Sequence, residues 1–182
     1  MTQQLHITVV VYGSHGRRVE IEMRPTVPAN IEGNVPKLAE WTGSLCFALG
    51  KDVKHSEKWA CSVCGQPARE TSFSNVSWIH LTPPKMTLYV FHVCDMDSPE
   101  CAHMIDSQQA MMARMTGQRG DIAPRLPKPP GVSYPLSASC AKCNKDSTGA
   151  PEFKTSRCGK CKLTRYCSVD CQREDWARHK TV

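Results

Sequence analysis

The run CAKCNKDSTGAPEFKTSRCGKCKLTRYCSVDCQREDWARHKTV, residues 140–182, sets the fold. Its cysteines fall in three pairs, Cys140-x2-Cys143, Cys158-x2-Cys161 and Cys167-x3-Cys171, and His179 follows. A zinc ion takes four tetrahedral sulfur or nitrogen ligands at about 2.0–2.3 Å. Seven candidates are too many for one ion and one short of two, so two zinc sites are implied. Three correctly spaced pairs argue against unrelated buried thiols.

A C-x-x-C pair directs both sulfurs at one metal across a tight turn, and Cys167 and Cys171, at i and i+4, share a helical face. Ser168 is placed to cap that helix, which puts Cys171 in its first turn, where the helix dipole favours a thiolate. Asp175 is expected to cap a second short helix that presents His179.

The ligand order, the Tyr166-Cys167 pair and the Trp176-x-x-His179-Lys180 ending resemble the MYND-type zinc finger. The resemblance covers residues 140–182, less than a quarter of the chain, and implies two interleaved, cross-braced sites. By that resemblance Cys140, Cys143, Cys167 and Cys171 hold one zinc, and Cys158, Cys161 and His179 hold the other with a final cysteine. The family places that cysteine at what would be position 183, whereas the sequence ends at Val182. The expectation is a finger truncated at its C-terminus, its last zinc completed by water, the Val182 carboxylate or a neighbouring chain. Three protein ligands with an open position are also the formula of a catalytic zinc. No carboxylate base is placed here by a catalytic zinc motif, so no enzyme is expected and no catalytic residue is assigned.

Composition sets the context. Thirteen prolines, few aromatic residues and a negative mean hydropathy argue against one large apolar core and for small cross-linked units. The opening MTQQLHITVVVYGSHGRR has only a short apolar run and no basic leader, so the eleven cysteines are read as belonging to a reducing compartment. An intracellular protein of the nucleus or cytoplasm is expected, without a membrane span. The net charge of +6 resides entirely in residues 121–182, where 12 Lys/Arg meet 6 Asp/Glu. Metal-bound thiolates offset part of that excess.

An α+β N-terminal domain is expected over residues 1–116, with an antiparallel sheet and two helices. Residues 5–12 and 17–24 read as a hairpin around GSHG. Residues 73–81 and 85–93 read as two more strands, which gives a four-stranded antiparallel sheet as the simplest assembly. Between the pairs, apolar residues three to four apart over 35–49 predict an amphipathic helix, capped by Asn34 and stopped by Gly50, or two short turns in view of Gly43 inside it. Ser98, Pro99 and Glu100 open a second helix over about 99–115. Residues 117–139, with five prolines and little apolar periodicity, read as a stiff linker to the finger at 140–182.

Cys61-x2-Cys64 has the shape of a zinc knuckle and needs a second pair, for which Cys94 and Cys101 are the candidates. His103, two residues from Cys101, and His92, two from Cys94, remain open as replacements for one cysteine. A thioredoxin-like redox pair at Cys61/Cys64 fits poorly, because the following GQPARETSF lacks helical periodicity. Cys46 reads as a small core residue. His6, His15, His55 and His80 read as solvated or structurally satisfied. Met104, Met111, Met112 and Met115 read as the buried face of the second helix.

The MYND resemblance implies an adaptor that binds a protein partner, a proline-containing peptide, often in transcriptional regulation, at the surface near Gln172, Arg173 and Trp176. Two alternatives stand beside it. Arg157, Lys160, Lys162 and Arg165 suggest a zinc-dependent nucleic-acid binder, although no base-reading helix accompanies them. MYND fingers also occur in lysine methyltransferases with a separate SET domain, so the chain can be the non-catalytic fragment of such an enzyme. The strap PRLPKPPGVSYP, read chiefly as a spacer, has the composition of a ligand for proline-reading domains.

Overall fold

The computed structural model describes residues 3–117 and 128–180. Residues 118–127 of the expected linker, and Val182 as an expected zinc ligand, lie outside them. The N-terminal unit is α+β and the C-terminal unit is a cross-braced finger. The elements run β1 (His6–Tyr12), β2 (Arg18–Met23), α1 (Val35–Lys54), β3 (Glu70–Trp78), β4 (Lys85–Val93), α2 (Pro99–Thr116), β5 (Ser156–Arg157), β6 (Arg165–Tyr166) and α3 (Val169–His179).

The four-stranded sheet has the order β2-β1-β4-β3 and is mixed, which corrects the expected antiparallel sheet. The two hairpins are antiparallel as the turns require, but β1 and β4 run parallel, with Val9 beside Leu88 and Val11 beside Val90. The cause is the connection through α1. A helix crossing over the sheet returns the chain to the end where β2 began, so β3 repeats the direction of β2 and β4 that of β1.

Alternation along the central strands sorts residues to two faces. Ile7, Val9 and Val11 of β1 and Met86, Leu88 and Val90 of β4 pack with Leu38, Leu45, Leu49 and Val53 of α1. Phe91 and Val93 point the other way and pack with Cys101 and Ile105 of α2. Cys46 is buried, its sulfur 3.5 Å from Met86 Sδ.

Several local expectations are overturned. Helix α1 continues through Gly50 to Lys54, because its last turn buries Asp52 and Val53. A Cβ at Gly50 would lie 3.3 Å from the Phe73 ring, so this glycine allows α1 to approach β3 closely. Strand β3 begins three residues earlier than expected, at Glu70 opposite Val93. Ser98 occupies the N-cap of α2 without a side-chain capping bond, while Asn34 caps α1 by accepting from Lys37 N–H at 3.1 Å. Met111 and Met115 are 62% and 75% exposed and Met104 is also exposed, so only Met112 of the methionine set packs on the core. Helix α2 buries only Cys101 and Ile105, too narrow a stripe to cover the remaining methionines.

Residues 128–139 are tied to the N-terminal unit. Lys128 forms ion pairs with Glu70 and Asp95. Ser137 Oγ accepts from Trp59 N–H at 2.8 Å and donates to Trp59 C=O at 3.1 Å. The finger docks on α1 and the turn after it: Arg178 Nη2 donates to Asp52 Oδ1 of α1 at 2.7 Å, and Arg165 Nε donates to Ser56 C=O just past α1 at 2.7 Å. No helix among the described residues is long and apolar enough to cross a membrane.

Candidate metal centres

Three C-x-x-C turns share one local geometry. The carbonyls of Cys61, Cys140 and Cys158 accept from the amides of Gly65, Asn144 and Lys162, each four residues on. The residue after each second cysteine is left-handed, with φ of 75° at Gly65, 60° at Asn144 and 57° at Lys162. That reversal turns backbone N–H groups inward onto the first sulfur of each pair. Burial opposes a thiolate at Cys61, but amide bonds from Cys64, Cys94 and Val63 outweigh it and bring its pKa down to about 7. Cys140 and Cys158 fall to about 7 in the same way, against the same burial: Cys140 through the amides of Cys143, Cys167 and Lys142, Cys158 through those of Cys161 and Lys160. His179 adds to the effect at Cys158.

The fold closes each turn with other ligand-type residues. Cys61, Cys64, Cys94 and Cys101 form one group, Cys140, Cys143, Cys167 and Cys171 a second, and Cys158, Cys161 and His179 a third, with the donor atoms of each group within 4.8 Å of one another. Zn–S bonds of about 2.3 Å place sulfurs of a tetrahedron about 3.8 Å apart. The spacings fit: 3.8 Å for Cys61–Cys101, 3.7 Å for Cys94–Cys101, 3.4 Å for Cys64–Cys94, 3.6 Å for Cys143–Cys167 and 3.5 Å for Cys167–Cys171. All eleven cysteines are free thiols. The chain therefore carries two cysteine-based zinc clusters in the finger and one four-cysteine cluster in the N-terminal unit.

The alternative histidines do not join the first group. His92 is buried on the opposite side of β4 from Phe91 and Val93 and stacks on Trp59, with ring centroids 4.6 Å apart. His103 is exposed on α2. Cys94 directly follows β4 and Cys101 lies in the first turn of α2, so one cluster staples the sheet to its second helix.

In the finger, α3 runs unbroken from Val169 to His179, which corrects the expected cap at Asp175. Ser168 does cap it, Oγ accepting from Cys171 N–H at 3.1 Å. Asp175 is buried mid-helix, where its carboxylate accepts from Tyr166 OH at 2.8 Å and from Arg178 Nε at 3.0 Å. Cys167 precedes the cap and so does not share the helical face with Cys171. Leu163 N–H reaches Cys161 Sγ at 3.4 Å and Gln172 Nε2 reaches Cys158 Sγ at 3.2 Å. His179 Nδ1 lies 3.0 Å from Asp52 Oδ2, and this bond is the main cause that lifts its imidazole to about 9. Asp52 has no counterpart in the sequence reading. It is a lone carboxylate 127 residues upstream, and no spacing rule connects it to the finger.

Fold and site define a zinc-stapled α+β unit followed by a cross-braced finger. Residues 140–182 match the family model of the MYND finger, and this segment is a MYND-type zinc finger. The chain is similar to the N-lysine methyltransferase SMYD2 of Bos taurus, at 41% identity over 51 residues, 28% of this chain and 12% of that protein. It is similar to the SET domain and MYND-type zinc finger protein 6 of Schizosaccharomyces pombe, at 40% over 45 residues, 25% and 8% of the two chains. It is also similar to the Tudor domain-containing protein 1 of Mus musculus, at 41% over 46 residues, 25% and 3%. The chain thus spans about an eighth or less of these relatives. No solved structure matches it.

Proposed function

We propose that the chain is a zinc-organised adaptor whose finger docks a proline-containing segment of a partner protein, in a reducing intracellular compartment that keeps its cysteines as thiols. In this reading the ligands are Cys61, Cys64, Cys94 and Cys101 for one zinc and Cys140, Cys143, Cys167 and Cys171 for the second. Cys158, Cys161 and His179 hold the third.

The observation that carries the adaptor reading is Trp176. Trp176, 39% exposed on α3, borders a cleft of about 310 Å³ that it shares with Leu163 of the finger and with Ile21 and Met23 of β2, and whose lining includes Cys161 and His179 of the third cluster. Lys160 sits over its ring at 5.7 Å. An exposed aromatic ring beside an apolar cleft suits an extended, proline-rich peptide, whose preformed backbone loses little entropy on docking. The three relatives support an interaction role. Two carry names of SET or methyltransferase proteins and one a Tudor name, so the shared stretch of about 50 residues recurs in proteins named for different further domains.

Nucleic-acid binding is less favoured, because the basic run is partly consumed by internal contacts. Arg157 pairs with Glu57 and Arg165 donates to a backbone carbonyl. Calorimetry with proline-containing peptides tests the adaptor reading. Binding by the zinc-loaded chain that Trp176→Ala abolishes at unchanged zinc content supports it, and salt-dependent binding to arbitrary DNA or RNA would replace it.

Similarity to methyltransferases favours a second reading, in which the chain is the non-catalytic docking part of a SET-bearing enzyme. Binding of the methyl donor by the natural full-length protein selects that reading.

A further inference from the structure

Asp52 is the one fully buried carboxylate of α1, with 0% exposure, and burying a charge is costly unless it is paired. Among the described residues, its hydrogen bonds run to side chains of α3. Oδ2 is 3.0 Å from His179 Nδ1 and Oδ1 is 2.7 Å from Arg178 Nη2. Arg178 is itself held, donating to Asp175 and, at 3.3 Å, to the carbonyl of Ala48 on α1. The carboxylate thus meets a fixed guanidinium on one oxygen and an imidazole on the other.

The His179 bond has a consequence for the metal. With Nδ1–H donated to Asp52, Nε2 is the nitrogen left for a metal held with Cys158 and Cys161, whose sulfurs lie within 4.8 Å of the ring's donor atom, and metal binding there displaces the Nε2 proton. A carboxylate on the far nitrogen of a ligating histidine fixes its tautomer and orientation and raises its basicity. Here that carboxylate is supplied by the other structural unit.

We propose that Asp52 is a positioning residue for the zinc site of Cys158, Cys161 and His179, so that metal binding in the finger and docking of the finger on α1 form one coupled equilibrium. The proposal rests on zinc ligation by His179. Linkage makes it reciprocal: whatever α1 contributes to zinc affinity, zinc returns to the docking of α1 and α3.

The test uses the full chain, loaded with Co²⁺ as an optical probe and titrated with a chelator, in wild type and in Asp52→Asn, which keeps the size of the side chain. Expected is one metal ion per chain bound about 10–100-fold more weakly, with loss of the absorption bands of a nitrogen-containing site. The two four-cysteine sites hold as before and report that the variant is folded. Three sites unchanged in Asp52→Asn overturn the proposal while leaving ligation intact. Three sites weakened in parallel also overturn it, since that is a purely structural loss. A wild type that takes up only two ions removes the ligation reading and the proposal with it. The reverse direction is read by amide exchange: Cys158→Ser raises exchange at residues 52–54 but not in β1 and β4, and unchanged exchange at 52–54 contradicts the coupling.

Discussion

Tyr166 and Asp175 meet inside the finger, the phenol donating to the carboxylate at 2.8 Å with both residues buried. Burial, with the Asp175 carboxylate beside it, pushes the phenol well above its usual range and keeps it a donor. Tyr166→Phe removes that bond and leaves one carboxylate oxygen to Arg178 alone. A hydrogen bond to a charged group contributes about 1.5–3 kcal/mol, so the finger is expected to lose that much in chemical denaturation. An unchanged midpoint would show that Arg178 alone satisfies Asp175.

Ser137 binds both backbone groups of Trp59, accepting at 2.8 Å and donating at 3.1 Å. Ser137→Ala removes one partner from each group, while Trp59 N–H keeps the Glu57 carbonyl at 2.9 Å and Trp59 C=O keeps Ala68 N–H at 3.0 Å, so the loss is about 0.5–1.5 kcal/mol. The loss is read as a lower thermal midpoint at full zinc occupancy.

Gly65 turns the first knuckle at φ +75°. An alanine there meets the left-handed penalty of roughly 1–2 kcal/mol. Gly65→Ala should weaken metal binding at Cys61, Cys64, Cys94 and Cys101 by roughly tenfold and leave the finger's sites unaltered. Chelator competition by site checks this.

His55 is buried with Nδ1 donating to the Ser139 carbonyl at 3.0 Å, and burial, with Lys54 adding, lowers its pKa to about 4. The unfolded imidazole titrates near 6.5. Between these values the unfolded chain binds more protons, so stability falls as pH falls. The contribution, about 3 kcal/mol, is present in full above pH 6.5 and lost as pH drops through about 4. In zinc-saturated solution, the stability of wild type relative to His55→Gln should shrink over that window. A difference that stays flat with pH contradicts the assignment.

These residues mark where reading from sequence stops. The knuckles at Cys61, Cys140 and Cys158 are legible because a C-x-x-C turn is local, and the outer hairpins because their alternation and turn residues are local. The direction of β4 against β1 is not, since it depends on which way α1 crosses the sheet. Gly50 reads as a helix stop until Phe73 is seen packed against it. Met104, Met111 and Met115 of α2 carry helical spacing but lie exposed, with only Met112 packed on the core. Asp52 is silent in sequence because its meaning lies in a contact 127 residues away.

The finger's own buried core is small, comprising Cys140, Ala141, Cys158 and Tyr166, two of them metal-ligand cysteines. So little apolar burial leaves the metal as the main source of folding free energy for this segment. Chelation is expected to unfold residues 140–180 first while the sheet persists. Amide exchange resolved by segment checks the order.

The most direct test of the account is zinc content per chain, by elemental mass spectrometry of the native protein. Three zinc ions per chain is the expected result, one for each cluster. Two or fewer, with the cysteines still reduced, would contradict the claim that metal at all three clusters organises this chain.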